Sequence, residues 1–203
     1  MLGIAKGKVF PALWILLFVL VEYVFSASFS PWTLYGFEVF FVGLSILCFR
    51  GLTLKFTVSR TTALSGVVAL GFGFLVFFFA KMSGILVPIN VHDGLTTILL
   101  LVYAPIFEEL IFRFGVWKAS KSLIGNDMAG FVTSSVLFSF SHFYSYFFVS
   151  ADFRPFILYQ TVYTLILAIF LGGMLIRTRS LGVTVGLHFL FNFGFFIGAF
   201  NML

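Results

Sequence analysis

Seven long apolar segments run through this sequence and are separated by short polar joints. They fall near residues 9–29, 32–49, 61–80, 95–117, 128–149, 156–176 and 181–200. Each is close to the roughly 20 apolar residues that an α-helix needs to cross a bilayer. Because 61% of the 203 residues are hydrophobic and 9% are charged, a water-soluble domain would lack the polar surface to cover itself. The sequence therefore predicts an all-α, polytopic transmembrane helical bundle that forms a single membrane domain over residues 1–203.

The basic residues predict how these helices are oriented. If the N-terminus is cytoplasmic, nine Lys and Arg lie on the cytoplasmic side: Lys6, Lys8, Arg50, Lys55, Arg60, Lys118, Lys121, Arg177 and Arg179. Only Lys81 and Arg154 then lie on the other side. Since cytoplasmic loops carry an excess of Lys and Arg, we expect a cytoplasmic N-terminus and a multi-pass protein of the cell membrane. The basic residues occur singly, which argues against nucleic-acid binding.

The N-terminal segment also contains a weak processing signal. The small residues at 26–28, Ser-Ala-Ser, resemble a signal-peptidase site. We expect this segment to be retained as a membrane helix, because the other six already require membrane insertion and Glu22 interrupts the apolar run.

The stretch APIFEELIFRFGVW, residues 104–117, places two carboxylates and a guanidinium inside the fourth apolar segment. Ionised groups are costly inside a bilayer and usually face a partner or a cavity. Glu109 and Arg113 are four residues apart, so they lie one above the other on a helix and can form an ion pair. Glu108 points about 100° away from Glu109 and has no local partner. We interpret Glu109 and Arg113 as a structural pair and Glu108 as a candidate site residue.

Two further segments each place a polar pair on one helix face. FSFSH contains Phe138 and His142, and HFLFN contains His188 and Asn192, both at a spacing of four residues. A carboxylate, two imidazoles and a carboxamide that converge in a bundle can hold a water, accept its proton and stabilise an oxyanion. This is the chemistry of peptide hydrolysis. Taken singly, either histidine is equally explained by a hydrogen bond between helices.

These three motifs, Glu-Glu-x-x-x-Arg, Phe-x-x-x-His and His-x-x-x-Asn, resemble those of the CPBP intramembrane proteases. This family includes the type II CAAX prenyl endopeptidases and bacteriocin-processing or bacteriocin-immunity membrane proteins. The resemblance covers residues 104–192, within a motif-bearing core of about 95–200. It implies an all-helical membrane fold with the site in a cavity open toward the cytoplasmic half.

The resemblance also implies roles for single residues. Glu108 would be the general base that activates water, and His142 would help to hold that water. His188 and Asn192 would stabilise the oxyanion. Three further residues would support the site: Glu109, Arg113 and Phe138.

The family has been described both as metalloproteases and as glutamate-dependent hydrolases that need no metal. The sequence lacks His-Glu-x-x-His, the local signature of a zinc protease. If zinc or another divalent metal binds, its ligands would be Glu108, His142 and His188. We expect no obligatory metal, because Asn192 is a poor zinc ligand and a good oxyanion donor.

Three functions compete for this arrangement. The first is an intramembrane endopeptidase that cleaves a membrane-tethered or lipidated peptide, in C-terminal processing or sorting-tail cleavage. The second is a non-catalytic membrane scaffold that binds a peptide toxin and confers immunity. The third is a proton-coupled transporter in which Glu108, His142 and His188 relay protons. Glu38 is a weak site candidate, and Asp93 and Asp127 are expected to cap helices.

Overall fold

The computed structural model describes residues 8–25, 31–49, 51–56 and 59–202. Over these residues the chain forms seven long helices and no strand. They are α1 (Val9–Val19, continued by a π-helical turn at Leu20–Phe25), α2 (Pro31–Cys48), α3 (Arg60–Met82), α4 (Gly94–Ile124), α5 (Asp127–Tyr144), α6 (Arg154–Thr178) and α7 (Leu181–Met202). The predicted all-α class is confirmed. Residues 26–28 of the weak processing signal lie outside the described residues.

Four of the described helices are long and apolar enough to cross a membrane. These spans are Arg60–Met82, Gly94–Ile124, Ala151–Thr178 and Leu181–Asn201. Two shorter apolar stretches, Val9–Val24 and Thr33–Cys48, belong to α1 and α2. The architecture is therefore that of a helical membrane bundle.

Two helices differ in length from the sequence prediction. The fourth was expected over 95–117 but continues to Ile124, because Trp117–Ile124 buries Trp117 and Ala119 while its two lysines stay partly exposed. Hydropathy marks only the part of a helix that is apolar all round. The fifth was expected over 128–149 but ends at Tyr144, where the chain tightens into a 3₁₀ turn at Ser145–Phe147.

Helix α4 occupies the centre of the bundle, where it contacts α1, α2, α5 and α7. One apolar core lies between α1, α2, α4 and α5 and contains Trp14, Phe18 and Phe41. A second core lies between α3, α6 and α7 and includes Phe77 and Phe191. The charged residues of α4 therefore lie between two apolar cores.

The two ends of the bundle carry different loops. At one end the backbone N–H of Leu181 donates to the carbonyl of Thr53 at 2.9 Å, and the Ser180 hydroxyl donates to the carbonyl of Lys55. We call this the basic end, and it is formed by the loops at 51–56, 125–126 and 179–180. The opposite end is called the neutral end, and it is formed by the loops at 83–93 and 145–153.

Two loop aspartates were predicted to cap helices, and one of them does. Asp93 caps α4, where its side chain accepts a hydrogen bond of 2.8 Å from the backbone N–H of Thr96. For Asp127 the prediction was wrong. Asn126 caps α5 instead, by accepting from the backbone N–H of Ala129 at 2.7 Å.

Asp127 instead joins helices at the basic end. Its carboxylate lies 2.8 Å from Lys121 Nζ and 3.3 Å from Arg179 Nη1. The hydrogen bond from Lys121 is the main reason that the pKa of Asp127 falls from 3.8 to about 2. Asp127 therefore links the C-terminal end of α4 to the residue that follows α6.

Helices α3 and α7 pack along each other more extensively than any other pair of described helices. A Cβ at Gly73 would overlap the carbonyl oxygen of Phe191, and a Cβ at Gly194 would overlap that of Leu70. Only glycine allows the two backbones to come this close.

We predict that Gly73→Ala lowers the stability of the detergent-solubilised protein by about 1–3 kcal/mol, because the added methyl group must push α3 away from α7. The measurement is the midpoint of thermal unfolding. The matched control is Gly71→Ala on the same helix, where no atom lies within 4 Å of the added Cβ. Equal midpoints for the two variants would contradict the close packing described here.

A second prediction concerns pH. Because the folded pKa of Asp127 is about 2 and its ordinary value is 3.8, its ion pairs stabilise the fold fully above about pH 4. That stabilisation is lost as the pH falls through about 2. Asp127→Asn should therefore lower the unfolding midpoint at pH 7, and this difference should disappear well below pH 2. Asp152→Asn, a change in an exposed loop residue, serves as the control. A deficit of Asp127→Asn that persists well below pH 2 would refute the assignment.

Candidate active site

Helix α4 changes its hydrogen-bonding pattern twice, once before Ala104 and again between Glu108 and Glu109. It contains π-helical turns at Leu99–Tyr103 and at Glu109–Val116, which flank an α-helical turn at Ala104–Glu108. Pro105 has no backbone N–H to donate, so it disrupts the regular ladder at this point. A π-helical turn rotates the following residues relative to a regular α-helix and is frequent at functional sites.

His188 of α7 lies between the two carboxylates of α4. Its Nδ1 is 3.1 Å from Glu109 Oε1, and its Nε2 is 3.7 Å from Glu108 Oε2. The two glutamates therefore both face α7, although a regular α-helix would separate them by about 100°. Glu108, which has no partner on its own helix, finds one across the helix interface.

Glu109 has a second partner in Arg113, as the spacing predicted. Arg113 Nε lies 3.6 Å from Glu109 Oε2, and both side chains are fully buried. The Arg113 guanidinium also lies 4.6 Å from the centre of the Phe138 ring, in a cation–π contact. Its three nitrogens have no hydrogen-bond partner among the described residues, so electrostatic attraction and the aromatic ring hold it.

The sequence did not predict that Glu109 also holds His188. The spacing of four predicts Arg113 as the partner of Glu109, and the resemblance implies only that Glu109 supports the site, without naming a contact with His188. The one signal that pointed further was the run of two adjacent glutamates, which places a second carboxylate next to Glu108.

Phe138 is the hydrophobic centre of this group of residues. Its ring lies 5.2 Å from the ring of His142, 5.9 Å from His188 and 5.3 Å from Phe112, with the rings nearly perpendicular in each pair. Edge-to-face contacts of this kind fix the orientation of both rings. Phe138 thereby positions the two histidines from α5 and α7.

A cavity of about 140 Å³ lies beside these residues. Its lining includes five of the predicted site residues: Glu108, Phe138, His142, His188 and Asn192. The Glu108 side chain is 24% exposed, whereas that of Glu109 is 0% exposed. Of the two carboxylates, Glu108 is the one that opens into the cavity. The volume is large enough for several water molecules.

Asn192 is held by a backbone group of α4. Its Nδ2 donates a hydrogen bond of 2.7 Å to the carbonyl of Leu100, which lies in the π-helical turn that precedes Pro105. The bond ties α7 to the first π-helical turn of α4 and fixes the amide at the cavity wall. The predicted role as an oxyanion donor therefore depends on the second hydrogen of the amide or on a change of this contact.

Sequence reasoning missed the contribution of α6. Gln160, Tyr163 and Thr164 all line the cavity. Their spacing of three and four residues puts them on one helix face, a pattern that could have been read from the sequence.

Glu38 lies outside this cavity lining. It accepts a hydrogen bond of 2.6 Å from the Tyr103 hydroxyl, which joins α2 to α4. A hydrogen bond to a neighbouring helix thus accounts for this partly buried carboxyl group.

The described residues contain no group of three or more His, Cys, Asp or Glu arranged to hold a metal ion. The suggested ligands Glu108, His142 and His188 therefore do not form such a site as placed, and Nδ1 of His188 is already engaged by Glu109.

The buried pair generates a stability prediction. Arg113→Met leaves the Glu109 charge without its cation, and we expect this to cost about 3–5 kcal/mol. Adding Glu109→Gln removes that charge, so the double variant should be more stable than Arg113→Met alone. Thermal unfolding in detergent measures both, and Arg177→Met on the exposed surface of α6 is the matched control. A double variant less stable than the single one would show that the two groups do not compensate each other.

A comparison with protein families assigns this chain to a family. The model of the family described as type II CAAX prenyl endopeptidase Rce1-like matches residues 90–194, just over half of the chain. No curated protein and no solved structure matches the chain. The matched region contains all three motifs, and together with the four helices long enough to cross a bilayer it indicates a multi-pass membrane protein. The chain belongs to the Rce1-like family of type II CAAX prenyl endopeptidases, as its resemblance to the CPBP proteases predicted.

Proposed function

We propose that this protein is an intramembrane endopeptidase of the cell membrane that hydrolyses a peptide bond in a membrane-tethered or lipidated substrate. Glu108 acts as the general base, and water is the nucleophile. His142 helps to hold the water, while His188 and Asn192 stabilise the oxyanion. Membership in a family of endopeptidases supports the class of reaction.

One observation carries the proposal more than any other. Glu108 opens into the cavity and lies 3.7 Å from His188, while its neighbour Glu109 is closed off behind it. A general base has to reach both a water and the substrate, and a buried structural carboxylate reaches neither. This difference in exposure supports Glu108, and not Glu109, as the proposed base.

The reaction needs no further reactant. Glu108 accepts a proton from the water as the water oxygen attacks the carbonyl carbon of the scissile bond. The carbonyl oxygen becomes an oxyanion, and donors on the cavity wall stabilise it. The proton then passes from Glu108 to the leaving nitrogen as the C–N bond breaks. The products are a carboxylic acid and an amine, and Glu108 returns to its carboxylate form.

Glu109 supports these reaction steps through its contact with His188. Its contact with Nδ1 fixes the imidazole so that Nε2 faces Glu108 and the cavity. A ring nitrogen that carries a proton can donate a hydrogen bond to the oxyanion, and Nε2 is the nitrogen of His188 that faces Glu108. Arg113 lies beside Glu109 and lowers the cost of placing that carboxylate in the bilayer.

Arg113 and Phe138 act as positioning residues. Arg113 neutralises Glu109 and stacks on Phe138, and Phe138 in turn contacts both histidines. Movement of either would shift the imidazoles relative to Glu108. This mechanism routes no step through a metal ion.

The test is to replace the proposed base and search for an uncut substrate. Glu108→Gln keeps the shape and hydrogen bonding of the side chain but removes the base, so we expect cleavage to fall by about 10²–10⁴-fold. Peptidomics of membranes from cells that carry the wild type or Glu108→Gln should reveal a precursor that accumulates only with the variant. Asp152→Asn, a carboxylate-to-amide change outside the cavity, should leave the precursor processed.

The competing functions give different results in the same comparison. A binding scaffold would keep its phenotype in Glu108→Gln cells, and no precursor would accumulate. If the protein is a proton-coupled transporter, liposomes that contain it would show pH-driven uptake of its substrate. The purified protein would then cleave no membrane-tethered peptide. Either result would overturn the assignment as a protease.

A further inference from the structure

A second cavity lies between α3 and α7 at the basic end of the bundle. Its volume is about 320 Å³, more than twice that of the cavity beside Glu108. Its walls include Gly66 of α3, Gly186 of α7 and Phe56 of the loop 51–56. None of the described residues that line it also lines the cavity beside Glu108, so the two cavities are separate sites.

Small residues and one aromatic ring give this second cavity its shape. Gly66 and Gly186 have no side chain to fill the space between the two helices. A Cβ on Gly186 would overlap the ring of Phe56, so this ring lies directly against α7. Phe56 is nevertheless 64% exposed, and Val67, which also lines the cavity, is 69% exposed. The cavity therefore opens on the outer surface of the bundle, where lipid surrounds a membrane protein.

The lining is almost entirely apolar. Among the described lining residues, Thr62 is the one with a polar side chain, and its hydroxyl takes part in the cap of α3 with Ser59. A hydrocarbon chain fits such a lining. Because lipid tails are as apolar as these side chains, the cavity by itself does not select one lipid over another. Selection depends on the charges at the end of the cavity that faces the loop 51–56, which we call its mouth.

Three basic side chains lie at this mouth. Lys55 belongs to the loop 51–56, and Arg60 is the first residue of α3. Arg177 lies in the last turn of α6, and its Nη2 is 3.5 Å from the hydroxyl of Thr61, the neighbour of Arg60. All three are exposed, and none of them forms an ion pair with a carboxylate among the described residues. A cluster of unpaired like charges attracts an anion.

We propose that this cavity binds an anionic phospholipid of the surrounding bilayer, with one acyl chain between α3 and α7 and its phosphate at Lys55, Arg60 and Arg177. Charge complementarity supports this occupant, because one molecule fills the apolar space and neutralises the basic mouth. Guanidinium groups also bind phosphate oxygens through pairs of hydrogen bonds. We expect the basic end to face the cytoplasm, where the leaflet contains anionic lipids. The site goes beyond the proposed function, since it shares no lining residue with the cavity beside Glu108.

The lipid would stabilise a helix of the candidate active site. Leu187 and Leu190 of α7 line the second cavity, and His188 lies between them in the chain, with its ring against Glu109. An acyl chain in the cavity fills the space that the side chains of α3 and α7 leave open. The bound lipid thus supports the part of α7 that carries His188, and it takes no part in the reaction.

Lipid binding to the purified full chain in detergent tests the proposal. Phosphatidylglycerol and phosphatidylcholine with the same acyl chains are titrated separately, and native mass spectrometry and the midpoint of thermal unfolding report binding. We expect one phosphatidylglycerol molecule per chain, with an affinity at least about tenfold higher than that of phosphatidylcholine at low salt. The preference should shrink as the salt concentration rises. Equal affinities for the two lipids would overturn the proposal.

Charge variants test the mouth. Arg60→Gln combined with Arg177→Gln should lower the affinity for phosphatidylglycerol by about tenfold or more, because two phosphate-binding groups are lost. The matched control is Lys81→Gln combined with Arg154→Gln, which removes two exposed charges at the neutral end and should leave this affinity unchanged. Equal affinities of the two double variants would refute the placement of the phosphate.

A second pair of variants tests the acyl-chain site. Ala63 is exposed and lines the cavity, so Ala63→Phe places a ring in the space and should abolish the binding of one phosphatidylglycerol per chain. Leu64→Phe changes the next residue, which lies outside the lining, and should bind the lipid like the wild type. Unchanged binding by Ala63→Phe would show that the lipid lies elsewhere. The comparison of the two lipids uses the wild-type chain, so it is decisive even if a variant fails to fold.

Two other occupants would give different results. If the cavity holds the lipid anchor of a substrate, a neutral farnesylated peptide would displace phosphatidylglycerol and would bind equally well to the double arginine variant. If it holds a second copy of this chain, native mass spectrometry would show a dimer that Ala63→Phe separates. Either result overturns the proposed lipid site. None of these measurements depends on cleavage, so a failure of this proposal is distinct from a failure of the proposed protease, which Glu108→Gln tests.

Discussion

The contact of one imidazole with two carboxylates organises this bundle. His188 meets Glu108 on one ring nitrogen and Glu109 on the other, and Arg113 neutralises the second carboxylate from the same helix. Each of these groups would be costly alone inside a bilayer. Grouped together, the two carboxylates contact one guanidinium and one imidazole, and the Phe138 ring covers the guanidinium. These contacts join α4, α5 and α7.

The sequence predicted the helices and the identity of the polar residues better than their contacts. Long apolar runs are sufficient to locate membrane helices, and a spacing of four places Glu109 beside Arg113 in any α-helix. The contact between Glu109 and His188 could not be predicted in this way. It depends on the register of α7 against α4 and on π-helical turns, which have no simple sequence pattern beyond Pro105.

The contribution of one loop to the cavity was also beyond the sequence. Ile89, from the loop 83–93, forms part of the cavity wall. Hydropathy gives no information on such contacts, because they depend on how the loop packs against α3, α6 and α7.

The backbone contact between α3 and α7 has a mechanical consequence. At Gly73 and Gly194 the backbone of one helix lies directly against a backbone carbonyl group of the other. No side chain lies between them that could move aside. Helix α7 carries His188 and Asn192, so a motif-free helix acts as the rigid mount for half of the polar machinery. If the cavity widens to admit a bulky ligand, the movement is therefore expected in its other walls, which include α6 and Ile89 of the loop 83–93, and not between α3 and α7.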